Sequence, residues 1–225
     1  MPCQFTRSSL RVRTEASRHT PRLLCSARPR TALMTRGSQM INPLRITMRP
    51  MAVRPTLQLG DPLLRTPCRK VGDTGRVDIR QLAQDLSDTL ADWVARTGYG
   101  RGIAAPQIGE PVRVVYLTMG SPEILVNPVI TAHSSATWEL WDACLSFSVA
   151  FFCRVRRFTS VDVAYESLDG SQRSLRAGGE LGELLQHEID HLDGVLAVDR
   201  VTSIDTLCMR SEFERRHRSE SPYRQ

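Results

Sequence analysis

The order of predicted elements in this sequence favours an α+β fold with antiparallel sheets. Three observations predict this class. Stretches with the β-branched content of strands follow one another in the middle of the chain. Amphipathic helices precede and follow them. A short apolar helix late in the chain carries several titratable side chains, and we expect the sheets to pack around it.

The first helix is predicted over residues 77–97. Apolar side chains recur there at spacings of three and four residues, from Ile79 to Val94. Gly98 follows directly and is a typical residue at the end of a helix.

The predicted strands cover residues 112–117, 123–130 and 160–170, with a hairpin turn at Asp169–Gly170. A last helix is predicted over residues 203–217. Because the strands come in a run between helices, we expect neighbouring strands to pair antiparallel.

The late helix, residues 179–191, contains the motif QHEIDH. His187 and His191 are four residues apart, so both imidazoles leave the same face of the helix about one turn apart. This spacing is typical of a two-histidine metal site, and Glu188 lies where it could reach a water molecule on that metal. Leucines and isoleucine surround these residues, so the helix is expected to be buried on most sides.

Two histidines leave a tetrahedral metal site short of at least one protein ligand. Cys144, in the stretch WDACLSF, offers a thiolate from a distant segment. The residue pattern leaves Asp142, or a glutamate elsewhere, open as the alternative third ligand.

A glycine-rich stretch, GYGRGIAAPQIGEP, lies between the first helix and the first predicted strand. Its order of helix, loop and strand is the reverse of a dinucleotide-binding turn, and no G-K-[ST] follows, which disfavours nucleotide binding. Glycines there let the backbone approach a ligand closely, and Gln107 supplies an uncharged amide donor.

These three segments together resemble the peptide deformylase family. The first family motif, G-Φ-G-Φ-A-A-P-Q, is similar to residues 100–107 except at Arg101. The second, E-G-C-L-S, resembles DACLS at residues 142–146, and the third, Q-H-E-x-D-H, is met in full at residues 186–191. The resemblance covers about residues 51–205 and implies the deformylase α+β fold, with the HExxH helix at its centre.

The resemblance implies a metal-dependent hydrolase that removes the formyl group from N-formylmethionine on nascent polypeptides. It implies that Cys144, His187 and His191 bind one divalent transition metal, with Fe²⁺ first and Zn²⁺ or Ni²⁺ as alternatives. Glu188 would move the proton of the attacking water. The Gln107 amide and the backbone N–H of Leu145 would donate to the oxyanion.

The same resemblance assigns substrate binding to Gly100, Arg101, Gly102 and Ala143, and two departures affect this assignment. Arg101 stands where the family has an aliphatic residue, and Asp142–Ala143 replaces Glu–Gly. The proline that usually follows the second motif is also missing. An alternative function is therefore a deformylase-like hydrolase that acts on another N-formyl or N-acyl compound.

Charge is distributed unevenly over the 225 residues, whose net charge is +6. Residues 1–55 hold eleven arginines and one acidic residue, and the remainder is acidic. We therefore predict a disordered, Arg-rich extension over residues 1–50 and a deformylase-like catalytic domain over residues 51–225.

The six cysteines show no C-x-x-C spacing, so no disulfide framework is expected. The cysteines at positions 68, 153 and 208 are predicted to be small semi-buried hydrophobic residues.

Two interpretations of residues 1–50 stay open. An organellar transit peptide would place the protein in a mitochondrion or plastid. Translated upstream sequence, which we favour because residues 51–65 read directly into ordered sequence, would leave it cytoplasmic. The chain has neither an apolar signal-peptide core nor an apolar run of about 18 residues, so neither export nor a membrane span is expected.

The expected partners are N-formylmethionyl nascent peptides. Arginines near the C-terminus suit an rRNA surface, so ribosome binding through the last helix is one interpretation. The alternative is a solvated helix with Glu–Arg pairs through Glu212 and Glu214.

Overall fold

The computed structural model describes residues 52–72, 78–119 and 123–221, all within one structural unit, Met48–Gln225. The predicted extension over residues 1–50 lies outside the described residues. The α-helices of the described part are α1 Ile79–Thr97, α2 Gly179–Leu192 and α3 Arg210–Arg216. Its strands are β1 Gly102–Ala104, β2 Val114–Leu117, β3 Glu123–His133, β4 Thr137–Asp142, β5 Phe151–Phe158, β6 Ser160–Glu166, β7 Gln172–Gly178 and β8 Cys208–Met209.

Helix α1 confirms the first predicted helix. The Asp78 side chain caps its first turn by accepting the N–H of Gln81. Gly98 ends the helix with φ of 74°, a left-handed conformation that glycine adopts without steric cost. Neither α1 nor another helix of the described residues is long and apolar enough to cross a membrane.

A five-stranded antiparallel sheet has the order β1-β2-β3-β6-β7. It contains the three strands predicted from the sequence, as β2, β3 and β6. The hairpin turn between β6 and β7 is also confirmed, because Gly170 has φ of 84° and Asp169 accepts the N–H of Ser171. These features confirm the α+β class with antiparallel pairing.

A second sheet has the order β4-β5-β8 and was not predicted. Its last strand shows that the single helix predicted over residues 203–217 is wrong. Cys208 pairs with Phe152 and Met209 with Phe151, so this segment is extended and the helix begins only at Arg210. Helical periodicity could not reveal that the edge of β5 competes for these residues.

Helix α2 is buried as expected, and every residue from Gly182 to Leu192 is buried. Its apolar side chains, among them Leu185 and Leu192, pack with Val115 and Leu125 of the five-stranded sheet. The polar side chains of the same helix are therefore held away from water and need partners inside the protein.

Candidate active site

Three buried side chains from two distant segments, one of them α2, come together at one point. Cys144, His187 and His191 each offer a ligand atom, and these atoms lie within 4.8 Å of one another. Sγ of Cys144 is 3.2 Å from Nε2 of His191. A thiolate with two imidazoles suits iron(II), zinc or nickel, and disfavours magnesium and calcium.

The local backbone explains how these ligand atoms meet. His187 and His191 are one turn apart on α2, and their ring centroids are 5.0 Å apart. Cys144 lies just beyond the end of β4 and begins a short 3₁₀ turn, Leu145–Phe147, whose Ser146 N–H points at its sulfur at 3.4 Å. The end of a strand thus presents the thiol to the face of the helix.

The sequence left Asp142 open as a third ligand. In the structure its carboxylate instead binds one ring nitrogen of His187. Its carboxylate accepts the Nδ1–H of His187 at 3.0 Å and an N–H of Arg157 at 3.2 Å. Burial alone would raise the pKa of Asp142. The neighbouring His187 and Arg157 outweigh burial and hold this pKa well below its usual range. With Nδ1 committed to Asp142, Nε2 of His187 is the ring nitrogen available to a cation.

The two histidines have opposite electrostatic surroundings. Burial lowers the pKa of His187, but Asp142 outweighs burial and the net pKa lies well above its usual range. Burial, followed by the nearby His187, lowers the pKa of His191 well below its usual range. The lowered pKa favours the neutral form of His191, and a bound cation requires the neutral form of both rings.

Arg157 links this carboxylate to a second one on α2. Its guanidinium, on β5, binds Asp190 as well as Asp142, and Asp190 also pairs with Arg200 at 2.7 Å. The sequence did not predict this network, because each of its hydrogen bonds joins residues that are 10 to 33 positions apart along the chain.

Glu188 lies in the same buried environment, with 2% of its surface exposed. Its Oε2 atom has no hydrogen-bond partner among the described residues. Burial raises the pKa of this carboxyl to about 7. A buried, unpartnered carboxyl with a pKa near neutrality is suited to accept and release a proton.

Gly102 makes room for that carboxylate. A Cβ atom built on Gly102 would lie 2.7 Å from Oε1 of Glu188 and 3.0 Å from a methyl carbon of Leu117. Only glycine lets the backbone of β1 pass so close to the glutamate.

The side chain of Gln107 is 1% exposed and is fixed at both ends. Its Oε1 accepts the N–H of Ala104 at 2.8 Å, which points Nε2 towards the metal-ligand group. Nε2 lies 3.4 Å from Sγ of Cys144 and 3.3 Å from the hydroxyl of Ser146. The N–H of Leu145 donates to no backbone carbonyl of the described residues.

An extended segment near the start of the described chain supports both loops, and no sequence pattern predicted this role. Leu57 donates its N–H to the carbonyl of Gln107, and Leu59 donates to Ser146. Between them, the Gln58 amide donates to the carbonyl of Leu145 at 3.3 Å. These contacts fix the two loops relative to each other.

All four residues predicted to bind substrate line one pocket, together with His187 and Glu188. The pocket is narrow and opens to solvent. The four predicted residues are Gly100, Arg101, Gly102 and Ala143.

The replacement of glycine by Ala143 causes no strain, because Ala143 is not among the residues with positive φ. Positive φ occurs farther along the same loop, at Ser148 (52°) and Val149 (47°). Val149 also lines the pocket.

Comparisons with known proteins agree with this geometry. A family model described as polypeptide deformylase matches residues 53–206. The peptide deformylase of Brucella suis is 36% identical over 162 residues, which cover 68% of this chain and 87% of that protein. The peptide deformylase of Thermomicrobium roseum is 38% identical over 167 residues, covering 70% and 90%.

Solved structures give the same result. The peptide deformylase of Synechococcus elongatus, crystallised with actinonin, has a TM-score of 0.61 at 31% identity, covering 71% of this chain and 84% of that one. The peptide deformylase of Thermotoga maritima has a TM-score of 0.61 at 28% identity, covering 67% of this chain and 99% of that one. The chain therefore belongs to the polypeptide deformylase family.

Proposed function

We propose that this protein hydrolyses the formyl group from the N-terminal formylmethionine of nascent polypeptides. Water adds to the formyl carbon, the C–N bond breaks, and formate and a free amine are released. The observation that carries the proposal is the buried donor set of Cys144, His187 and His191, with the Oε2 atom of Glu188, which has no hydrogen-bond partner among the described residues, beside it.

The family is metal-dependent, and the donor set fits a transition metal. We assign Cys144, His187 and His191 as the ligands, with Fe²⁺ as the first candidate and Zn²⁺ or Ni²⁺ as alternatives. When bound, the cation supplies a Lewis acid that polarises the formyl oxygen and lowers the pKa of water to about 7. Asp142 keeps Nδ1 of His187 protonated and so directs Nε2 to the cation.

Glu188 moves the proton in this mechanism. Its carboxylate takes a proton from the attacking water and gives it to the amine nitrogen as the C–N bond breaks. Exclusion of solvent around Glu188 supports this role, because a pKa near neutrality lets one group act first as a base and then as an acid.

Gln107 and the N–H of Leu145 stabilise the negative charge that develops on the formyl oxygen. Both are neutral donors, so neither brings a charge that competes with the cation for its ligands. The support for this assignment is that Oε1 of Gln107 is held by Ala104, which fixes the direction of the amide donor.

The pocket lined by Gly100, Arg101, Gly102 and Ala143 is assigned to the first residue of the substrate. A solved peptide deformylase of Acinetobacter baumannii carries bound Met-Ala-Ser. The alternative, another N-formyl or N-acyl substrate, is favoured by one observation: Arg101 lines this pocket.

One assay tests the proposal. Anaerobically purified, iron-loaded protein should release formate from formyl-Met-Ala-Ser, and N-acetyl-Met-Ala-Ser serves as the matched control. Activity on the acetylated peptide alone would support the alternative, and activity on neither would reject the release of formate from formylmethionyl peptides.

The contacts of α3 favour the solvated-helix interpretation over ribosome binding. Arg215 and Arg216 both pair with Glu212, and Arg210 pairs with Glu214 at 2.8 Å. Co-sedimentation with ribosomes that weakens steeply as salt rises would still support an rRNA contact. Reversing Arg215, Arg216 and Arg218 to Glu should then abolish it.

A further inference from the structure

We propose that the ion pair between Arg101 and Glu183 is a specificity determinant, which limits the size of the apolar side chain accepted next to the scissile amide. The inference rests on the proposed function. It assigns part of the substrate preference to two residues of this chain.

The pair is short, and its carboxylate is buried. Nη2 of Arg101 donates to Oε2 of Glu183 at 2.6 Å, and the two side chains are 11% and 1% exposed. Nη1 of Arg101 is 3.8 Å from the sulfur of Met119, so the head group is held from a second side. The guanidinium thus has a fixed position.

The residue that carries this group belongs to the pocket lining. Arg101 lines the pocket with His187 and Glu188, the groups beside which the formyl group must lie. Glu183 comes one turn before His187 on α2, so the ion pair connects the glycine-rich loop to the helix that carries the reacting groups. A side chain that enters deeper would have to displace the guanidinium.

Another part of the pocket lining is apolar and consists of Leu145, Val149 and Leu184. Val149 is 2% exposed and has φ of 47°, a left-handed conformation that a β-branched residue adopts only when its surroundings impose it. The position of Val149 is therefore imposed by the fold around it.

Stability alone does not explain why the pair is present. Replacing a buried ion pair by apolar residues of similar volume is often neutral or stabilising, whereas removing one partner is strongly destabilising. Oε1 of Glu183 has no hydrogen-bond partner among the described residues, so the buried carboxylate is only partly compensated. A costly group in this position is consistent with selection for function.

The test compares formyl-Phe-Ala-Ser with formyl-Met-Ala-Ser in the iron-loaded protein. We expect kcat/KM to be at least about 10-fold lower for the phenylalanine peptide, the scale that a poor side-chain fit produces. In the double variant R101L/E183L, which removes both charges together, the ratio of the value for the phenylalanine peptide to that for the methionine peptide should rise about 10-fold or more. The ratio does not depend on the fraction of protein that is correctly folded.

A matched control is the pair R113L/D193L. Arg113 is 12% exposed and binds Asp193 just beyond the other end of α2, at 2.6 Å, and neither residue lines the pocket. This control should leave the ratio unchanged.

Two results would overturn the inference while the proposed function stands. The wild-type protein could accept the phenylalanine peptide as readily as the methionine peptide, or the ratio could stay within about two-fold of wild type in R101L/E183L. Failure of the wild type on both peptides would instead reject the proposed function, and the inference with it.

Discussion

Asp142 accepts a hydrogen bond from Nδ1 of His187 at 3.0 Å, two residues before the cysteine that offers the third ligand atom. One short segment at the end of β4 therefore supplies both a proposed ligand atom and a carboxylate that binds the ring of another proposed ligand. The same carboxylate binds Arg157, which in turn binds Asp190 on α2. The metal-ligand group is thus supported by a network that joins β4, β5 and α2.

Asp142→Asn tests the orienting role. The amide can still accept the Nδ1–H of His187, but it lacks the charge that strengthens this bond and balances Arg157. We expect metal affinity to fall about 10- to 100-fold, measured by competition with a chelator. Glu139→Gln, which removes a surface carboxylate paired with Arg156, is the control. Unchanged affinity in the Asp142→Asn variant would show that His187 is oriented by other contacts.

Cys144→Ser tests the third ligand. The hydroxyl is a poorer ligand than a thiolate for a transition metal, so we expect less than one bound ion per chain by elemental analysis. Cys153→Ser is a matched control, because Cys153 is fully buried and burial raises the pKa of its thiol to about 12. Full metal content in both variants would mean that Cys144 is not a ligand.

Glu188→Gln tests proton transfer. The substitution keeps the size of the side chain and removes the base, so kcat should fall at least about 100-fold while the metal is retained. Stopped-time formate release and elemental analysis measure the two quantities on one sample. Glu180→Gln, in the exposed first turn of the same helix, should keep both at the wild-type level. Turnover near wild type in the Glu188→Gln variant would remove Glu188 from the mechanism.

The sequence predicted the helix that carries the histidines because a spacing of four residues directly reports one face of a helix. It could not assign Asp142, because the bond to His187 joins residues 45 positions apart. The Arg101–Glu183 pair was hidden for the same reason, with 82 positions between its members. Local periodicity carries no information about such contacts.

The same limit applies to the strands. Strands rich in β-branched residues were predicted, whereas β1 has only three residues and β7 is largely exposed. Strand β8 forms only because two residues meet the edge of β5, which again depends on the tertiary structure.

Deletion of residues 1–50 tests the proposed domain boundary. The segment carries many like charges and has no sustained apolar periodicity, so we expect the melting temperature and the rate of formate release to stay close to those of the full chain. A large loss of stability would show that these residues contribute to the folded domain.

Fusing residues 1–50 to a fluorescent protein separates the two interpretations of this segment, because only a transit peptide would direct the fusion to an organelle.

Gly102→Ala tests whether the backbone of β1 sets the position of the Glu188 carboxylate, to which we assign proton transfer. The added Cβ would lie 2.7 Å from Oε1 of Glu188, closer than real contacts allow, so the carboxylate must shift away from its present position. A misplacement of this size should lower kcat by about 100-fold, while the metal ligands stay in place. Gly178→Ala is the control, because its Cβ would make a tight contact of 3.3 Å with the carbonyl oxygen of Thr159 and Gly178 is not part of the pocket lining. Wild-type kcat in the Gly102→Ala variant would show that Glu188 acts from more than one position, and that the close approach of Gly102 has no part in catalysis.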